Sequence, residues 1–276
     1  MYDPRAIANM IVEEGQQTGR PVTNLALLMK SLVDKDLRVR YKRSLLGFLW
    51  FLLKPLFSMA VYTAVFTRII RFGGAIQHFS LFLLTGLLPW NFFSSSLSAS
   101  TRTLLDNHRL IRSVYFPRAA LPVAAVLANG VHMILALGVL EIALWVWGHT
   151  PGLPLLAVIP GVFMLCCLTS GLALALSVWN VYYRDVSQFL EVVLLAWFYA
   201  SPVIYPLGRG MIPPGVEAVL RYNPMSGILG IFHCAMYYGV WPETWCWVSG
   251  VAWSLAFMAL GIAVFRGREA SVVKEL

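Results

Sequence analysis

The chain contains few charged residues. Asp, Glu, Lys and Arg make up 12% of its 276 residues, whereas apolar residues make up 59%, and the mean hydropathy is +0.71. A typical soluble domain carries about 25% charged residues. The shortage of charge therefore excludes an ordinary soluble protein and predicts an integral membrane protein, in which each helical span needs about 20 apolar residues.

Motifs for nucleotide and metal chemistry are also missing. No GxxxxGK[ST] sequence occurs and no glycine is followed by lysine, so the chain contains no P-loop for ATP. The five histidines show neither HExxH nor another close metal-ligand spacing. Glu141 and Glu191 are isolated near opposite membrane faces, and we assign both a structural role. We therefore predict no catalytic residue, no metal site and no cofactor in this chain.

Cysteine is scarce too, with four residues in the chain. Cys166 and Cys167 lie in an apolar run and are interpreted as small hydrophobic residues. Cys234 and Cys246 could form a disulfide, but their spacing does not require one.

Long runs poor in charge predict six transmembrane helices. They cover approximately residues 45–70, 79–100, 119–147, 154–181, 187–206 and 245–265. Prolines and glycines interrupt segment 207–244, which predicts two short helices near 214–222 and 225–239. We expect these helices to re-enter the outer membrane face against the bundle, because irregular backbone at membrane depth must be covered by protein or water. The predicted fold class is all-α, with an N-terminal amphipathic interfacial helix.

Loop charges predict the orientation. Of the 21 Lys and Arg residues, 16 lie on the side of the N-terminus, 4 lie on the other side, and Lys54 lies in the first span. Because Lys and Arg resist translocation, we expect both termini to be cytoplasmic. The predicted organisation is a cytoplasmic N-terminal segment at 1–44, a transmembrane domain at 45–266 and a cytoplasmic tail at 267–276. No nucleic-acid motif is present, and the asymmetry explains much of the +8 net charge.

A basic cluster runs into an uncharged apolar segment between Arg38 and Pro55. Before it, Asn24–Arg43 is predicted to form an amphipathic helix along the membrane interface. Its apolar face comprises Leu25, Leu28, Met29, Leu32, Val33 and Val39. One interpretation is a topology anchor, which periodicity alone favours. The other is a moving element near a substrate entrance.

Aromatic residues concentrate on the first and fifth predicted spans. They are Phe48, Trp50, Phe51, Phe57, Tyr62 and Phe66 on the first, and Trp197, Phe198, Tyr199 and Tyr205 on the fifth. Such residues pack helices or form belts at the membrane interfaces. They could also form a stacking surface for sugar rings, whose C–H faces pack on aromatic planes.

Two connections on the cytoplasmic side stand out. The loop TRTLLDNHRLIRSVYFPR (101–118) carries apolar residues among four arginines, and predicts a short amphipathic helix across the membrane end. It is either another interfacial anchor or a docking surface for a cytoplasmic partner. The brief loop YYRDV (182–186) is the other cytoplasmic connection and could touch the same partner.

Four stretches carry a family resemblance. They are VRYKRSLLGFLWFLLKPL (39–56), RLIRSVYFPRAALP (109–122), YYRDVSQFLEVVLLAWFYASPVIYP (182–206) and RYNPMSGILGIF (221–232). In combination they resemble the membrane subunits of ABC-2 type exporters, in the branch that exports O-antigen, capsule or teichoic acid chains. That branch often has an arginine shortly after the Asn-Pro turn, whereas Phe232, His233 and Cys234 follow here.

The resemblance implies partners and a substrate. The permease would pair with a second copy of itself and with two copies of a cytoplasmic ABC ATPase, and ATP and Mg would bind in that ATPase. The pump would sit in the bacterial inner membrane and export an undecaprenyl-linked glycan. O-antigen is the expected cargo, with capsule or teichoic acid as alternatives.

The resemblance also implies roles for individual residues. The N-terminal amphipathic helix would gate lipid access, and a headgroup pyrophosphate would meet Arg38, Arg40, Tyr41, Lys42 and Arg43. The glycan channel would be lined by Trp50, Phe51, Phe57, Tyr62, Phe66, Trp197, Phe198 and Tyr199. Coupling to the ATPase would involve Leu105, Arg109, Leu110, Arg112, Tyr115, Phe116, Arg184 and Asp185.

Two functions of other classes remain as alternatives. A secondary transporter would need coupling sites near the bilayer midplane and often shows internal repeats, but we find no repeat and only isolated acids. A membrane transferase acting on polyprenyl phosphate would need clustered acids for metal or base chemistry. Asp106, Asp185 and Glu191 are dispersed along the sequence.

Overall fold

A computed structural model describes most of the chain as helices. The described residues are 28–34, 36, 53, 56, 57, 60, 61, 64, 78–113, 116–149, 152–208, 210 and 212–275. Among them the regular structure is entirely helical, as the sequence predicts. Residues 28–34 form a helical segment that belongs to the predicted amphipathic helix.

The later elements follow in chain order. Helices α1 to α4 are Phe79–Asp106, His108–Ser113, Ala120–Val146 and Val158–Tyr182, with a 3-10 turn at Leu153–Ala157 before α4. Helices α5 to α7 are Val186–Tyr199, Pro214–Arg221 and Pro224–Phe232. A π-helical turn at His233–Tyr238 continues α7, and α8 is Thr244–Glu275.

Several helices match the predicted spans closely. Among the described residues, three helical stretches are long and apolar enough to cross a membrane: Ala120–Val146, Leu153–Tyr182 and Thr244–Glu269. Helix α1 coincides with the predicted second span, but its second half is rich in Ser and Thr. Most of the first predicted span, 45–70, lies outside the described residues. The count of six spans therefore stays a prediction.

Three boundaries differ from the prediction. Helix α8 continues to Glu275, beyond the expected end of the last span at 265. Helix α1 continues to Asp106, beyond the expected end at 100. Helix α5 ends at Tyr199, before the expected end at 206, because a residue preceding proline is disfavoured in the α conformation and Ser201 precedes Pro202. At 1.5 Å per residue the 14 residues of α5 extend only ~21 Å, less than the ~30 Å hydrocarbon layer.

Long-range contacts define two ends of the bundle. At one end Arg102 pairs with Glu191 at 3.7 Å, Arg118 pairs with Glu269 at 4.0 Å, and the Arg268 guanidinium lies 5.4 Å from the centre of the Tyr182 ring. We call this the arginine end. At the opposite end the His149 ring lies 6.1 Å from that of His78 and 5.3 Å from that of Tyr237.

Two buried clusters fill the bundle. The larger one joins α1, α3, α4 and α7 around fully buried residues such as Phe82, Phe93, Leu165 and Phe232. The smaller one lies towards the arginine end and contains residues of the N-terminal helical segment, α1 to α4 and α8. Its members are Leu28, Leu32, Leu104, Leu110, Ile111, Phe116, Ala120, Leu121, Ala124, Leu174, Val178, Val181, Phe265 and Val272.

The backbones of α4 and α8 are in direct contact. A Cβ atom added at Gly171 would overlap the Phe257 carbonyl group, and one added at Gly261 would overlap the Gly171 carbonyl group. Further towards the start of both helices, the Ser254 hydroxyl donates a hydrogen bond of 2.8 Å to the Met164 carbonyl oxygen. The contact partners on α8 lie later in its sequence as the positions on α4 do. The two helices therefore run parallel, and both end at the arginine end.

Alanine at Gly171 or at Gly261 is expected to lower the Tm of the purified protein in detergent. The new methyl group has backbone atoms as neighbours, and overpacking of this kind costs roughly 1–3 kcal/mol. Gly138→Ala in α3 is the matched control, because nothing lies within 4 Å of its Cβ position. Alanine there should leave the Tm unchanged or raise it. A wild-type Tm for both Gly171→Ala and Gly261→Ala would contradict the close contact.

Candidate functional site

The turn from α1 into α2 is fixed by hydrogen bonds within the chain. Helix α1 ends at Asp106, and the Asn107 amide donates to the Thr103 carbonyl oxygen at 2.8 Å. The His108 ring donates from Nδ1 to the Leu105 carbonyl oxygen, also at 2.8 Å. The Asn107 backbone N–H also donates to the Thr103 carbonyl oxygen, at 3.2 Å, so side-chain and backbone donors together close the C-terminus of α1, where carbonyl groups lack partners further along the helix. Helix α2 therefore starts in a defined direction at the arginine end.

The underside of α2 is buried in the smaller cluster. Leu110 and Ile111 contribute to it from α2, and Phe116 contributes from the residues that follow. The same cluster contains residues of α4 and α8 such as Val178 and Phe265. Since these apolar side chains lie on two long helices, a displacement of α2 would disturb the packing of both.

The outer side of α2 is polar and exposed. Arg109 and Arg112 are exposed, as are Arg102 and Asp106 on the last turns of α1, and Leu105 is half-buried. Arg112 lies in the last turn of α2, where a positive charge interacts favourably with the helix dipole. The predicted coupling residues thus fall into two groups, because Leu110 and Phe116 are buried beneath this surface. Tyr115 lies outside the described residues.

The second predicted coupling loop lies at the same end. Tyr183, Arg184 and Asp185 are all exposed between α4 and α5. The ion pair between Arg102 on α1 and Glu191 on α5 places this loop beside the end of α1. Exposed ion pairs of this kind add little stability. The pair between Arg102 and Glu191 is informative because it shows where the loop lies. We call the exposed residues Arg102, Asp106, Arg109, Arg112, Tyr183, Arg184 and Asp185, together with the half-buried Leu105, the end surface.

The predicted channel aromatics of α5 differ in their surroundings. Trp197 packs edge-on against Phe93, with ring centres 5.2 Å apart, and Phe198 packs similarly against Trp90 at 5.6 Å. Tyr199 is 62% exposed. Phe57 from the predicted first span is helical and 58% exposed. The structure leaves Trp50, Phe51, Tyr62 and Phe66 outside the described residues, together with Arg38, Arg40, Tyr41, Lys42 and Arg43.

Asn223 joins three segments at the opposite end. Its Oδ1 accepts hydrogen bonds from the Trp197 indole and from the Met225 backbone N–H, both at 2.9 Å. Its amide donates to the Ala200 carbonyl oxygen at 2.8 Å and to the Ser201 hydroxyl at 3.0 Å. Asn followed by Pro is a typical N-cap with proline at the first helical position, so the sequence identifies the cap. The bonds to α5 are long-range and could not be found that way.

His233 makes a second buried connection at this end. Its Nε2 donates to the Pro202 carbonyl oxygen at 3.1 Å, and the Thr85 hydroxyl lies 2.7 Å from its Nδ1. The ring stacks on Phe82 with centres 4.2 Å apart. Alanine at Gly86 would bring its Cβ within 3.0 Å of this ring, so the glycine makes room for the histidine. No sequence motif singled out this set of contacts.

Known proteins of one family match most of the chain. The family model described as ABC-2 type transporter matches residues 28–237. The chain is 33% identical over 215 residues to the O-antigen export system permease protein RfbA of Klebsiella pneumoniae, covering 75% of this chain and 80% of the relative. It is 30% identical over 241 residues to the protein of the same name from Myxococcus xanthus, covering 87% and 92%. Identity to the polysialic acid transport protein KpsM of Escherichia coli is 23% over 251 residues, covering 89% and 95%. The chain is therefore a membrane protein that belongs to the ABC-2 type transporter family.

Proposed function

We propose that this chain is the permease subunit of an ATP-driven exporter of lipid-linked polysaccharide, with an O-antigen as its cargo. The names of the relatives support this cargo, since those at 33% and 30% identity are O-antigen export permeases. The polysialic acid transport protein is more distant at 23%, which makes a capsule polymer the alternative within the same class; teichoic acid is a further one. In this proposal the exporter lies in the bacterial inner membrane.

Energy for export would come from a separate ABC ATPase, because the sequence contains no P-loop. The observation that carries this proposal is the construction of the end surface. Arg109 and Arg112 are exposed on a short helix whose other side belongs to a buried cluster that also contains residues of α4 and α8. A partner that pushes on α2 would therefore transmit the displacement to two long helices.

The proposed membrane arrangement has six spans, both termini in the cytoplasm and the arginine end on the cytoplasmic side. The domain limits remain 1–44, 45–266 and 267–276, although α8 continues as a helix to Glu275. Because α5 is shorter than the hydrocarbon layer, α6 and α7 would complete the outer half of the bundle beside it. Asn223 and His233 bond that layer to the end of α5. Exposed apolar residues on α3, α5 and α8, such as Ile142, Leu195 and Leu255, would contact lipid or a second copy of the chain.

Lipid access would occur beside the N-terminal helical segment. An apolar groove of ≈ 340 Å³ separates this segment from α3, and its lining includes Met29, Val33, Leu127, Val131 and Ile134. Lys30 and Asp34 also border the groove, Lys30 exposed and Asp34 half-buried. The apolar lining suits a lipid chain. The headgroup would be held by Arg38, Arg40, Tyr41, Lys42 and Arg43, which follow in sequence.

The glycan path is proposed to involve exposed aromatic residues. The exposed ring of Tyr199 would be available to a passing sugar. The exposed ring of Phe57, in the first predicted span, would be available in the same way. Trp197 and Phe198 are half-buried and pack against α1. These two would hold α5 against α1 and present only their exposed edges to the path.

Reversing the charge of Arg109 and Arg112 to Glu is expected to reduce co-purification of the ATPase about tenfold. That loss corresponds to ~1.4 kcal/mol, a modest value for two charges at an interface. The measurement is the ratio of ATPase to permease after affinity purification in detergent. Arg266→Glu is the control, since Arg266 is also exposed but lies on α8 outside the end surface. An unchanged ratio for the double variant, or an equal loss for the control, would contradict docking on α2.

Replacing Arg40, Lys42 and Arg43 with Gln is expected to reduce surface glycan severalfold while leaving the amount of permease in the membrane unchanged. Headgroup binding would lose three charge-assisted contacts, whereas the other basic residues on that side still fix the orientation. Surface glycan is quantified on intact cells by antibody or lectin binding. Arg5→Gln with Arg20→Gln removes charge from the same segment and should have no effect. Normal glycan in the triple variant would refute the headgroup role.

A further inference from the structure

Two cysteines on different helices line the same cavity. Cys234 is half-exposed in the π-helical turn after α7, and Cys246 is 2% exposed in the first turn of α8. Both border a cavity of ≈ 60 Å³ at the end of the bundle opposite the arginine end, and Arg221 is part of its lining. All four cysteines of the chain are present as thiols in the structure.

Gly230 makes room for the Cys246 sulfur against the helical turn that precedes Cys234. A Cβ atom at Gly230 would lie 2.8 Å from Cys246 Sγ, so the sulfur occupies the space that the missing side chain leaves. Cys234 follows Gly230 by four residues. Positions four apart share one face of a helix, and side chains lean towards its N-terminus. The Cys234 side chain is therefore directed over the turn against which the Cys246 sulfur packs.

The backbones of α7 and α8 approach each other closely beside the two cysteines. A Cβ atom at Gly227, one turn before Gly230, would lie 2.8 Å from the Cys246 carbonyl oxygen. Helix α7 and the start of α8 are thus held at contact distance on the side where the sulfurs lie. Gly227 and Gly230 together create a close approach that places a cysteine of α8 beside one of the turn.

We propose that Cys234 and Cys246 form a reversible disulfide on the outer side of the membrane. The inference rests on the orientation in the proposed function, which puts this end of the bundle outside. Disulfides form and persist in the bacterial periplasm, whereas thiols of the cytoplasm stay reduced. The bond would join the π-helical turn after α7 to the first turn of α8, and so fix the outer end of the bundle.

The chemistry is a thiol–disulfide exchange with an external disulfide, such as that of a periplasmic oxidoreductase. The Cys234 thiolate, which is the more accessible, attacks one sulfur of that disulfide and releases the other as a thiolate. The Cys246 thiolate then attacks the Cys234 sulfur and displaces the external group. The two cysteines lose two protons and two electrons, and the electrons reduce the external disulfide to two thiols.

The test counts thiols of the full-length protein in aerobically growing cells. Cells are quenched with acid to prevent thiol exchange, the protein is denatured, and a maleimide carrying polyethylene glycol adds one gel shift for each thiol. We expect two labels per chain, and four after treatment with dithiothreitol before the quench, since the chain has four cysteines. Mass spectrometry of the unreduced digest should contain a peptide cross-linked through Cys234 and Cys246.

Two variants complete the test. Cys234→Ser should give three labels with and without reductant. Cys166→Ser with Cys167→Ser should give none without reductant and two with it, because that pair is not involved. Four labels on the unreduced wild-type chain, or a loss of labels that persists in Cys234→Ser, would overturn the proposal. Labelling requires neither export nor an ATPase. The orientation is read separately, because a membrane-impermeant maleimide reaches Cys234 of reduced, intact spheroplasts only if this end of the bundle lies outside, so the two failures are distinguishable.

Discussion

The backbone contact between α4 and α8 determines where the other elements can lie. Gly171 and Gly261 allow these helices to run parallel at a distance that no side chain would permit. Helices in a membrane associate through close packing at small residues, because lipid gives no hydrophobic drive for apolar surfaces to meet. Two consecutive long helices that run parallel need a return path between them. Helix α5 and the segment that includes α6 and α7 supply it.

The return path explains why the two ends of the bundle differ. At the arginine end the connections are short, and they expose charge above the buried residues of α2. At the opposite end α5 stops early, and the remaining length is filled by short helices joined to it through Asn223 and His233. An exposed charged surface at one end and a bonded layer of short helices at the other are what the proposed exporter requires.

Much of this architecture can be predicted from the sequence, because hydrophobic length and proline positions act locally. The runs at 119–147 and 154–181 correspond to Ala120–Val146 and Leu153–Tyr182, and both short helices before α8 are where the prolines indicate. The contacts of Gly171 with Gly261, and of His233 with Thr85, could not be predicted. They join positions far apart in sequence, and the presence of a glycine or a histidine does not indicate which residue it contacts. The sequence also could not predict that Arg109 is exposed and Leu110 is buried among the coupling residues, because this depends on how α2 packs.

The most direct test of the central claim is a deletion of this chain with analysis of where the glycan accumulates. An exporter permease is dispensable for polymer synthesis, so lipid-linked polysaccharide should accumulate inside the cell while surface polysaccharide disappears. Plasmid-borne permease should restore the surface polymer only when its ATPase partner hydrolyses ATP. Normal surface polysaccharide in the deletion strain would contradict the account, as would complete absence of the lipid-linked polymer.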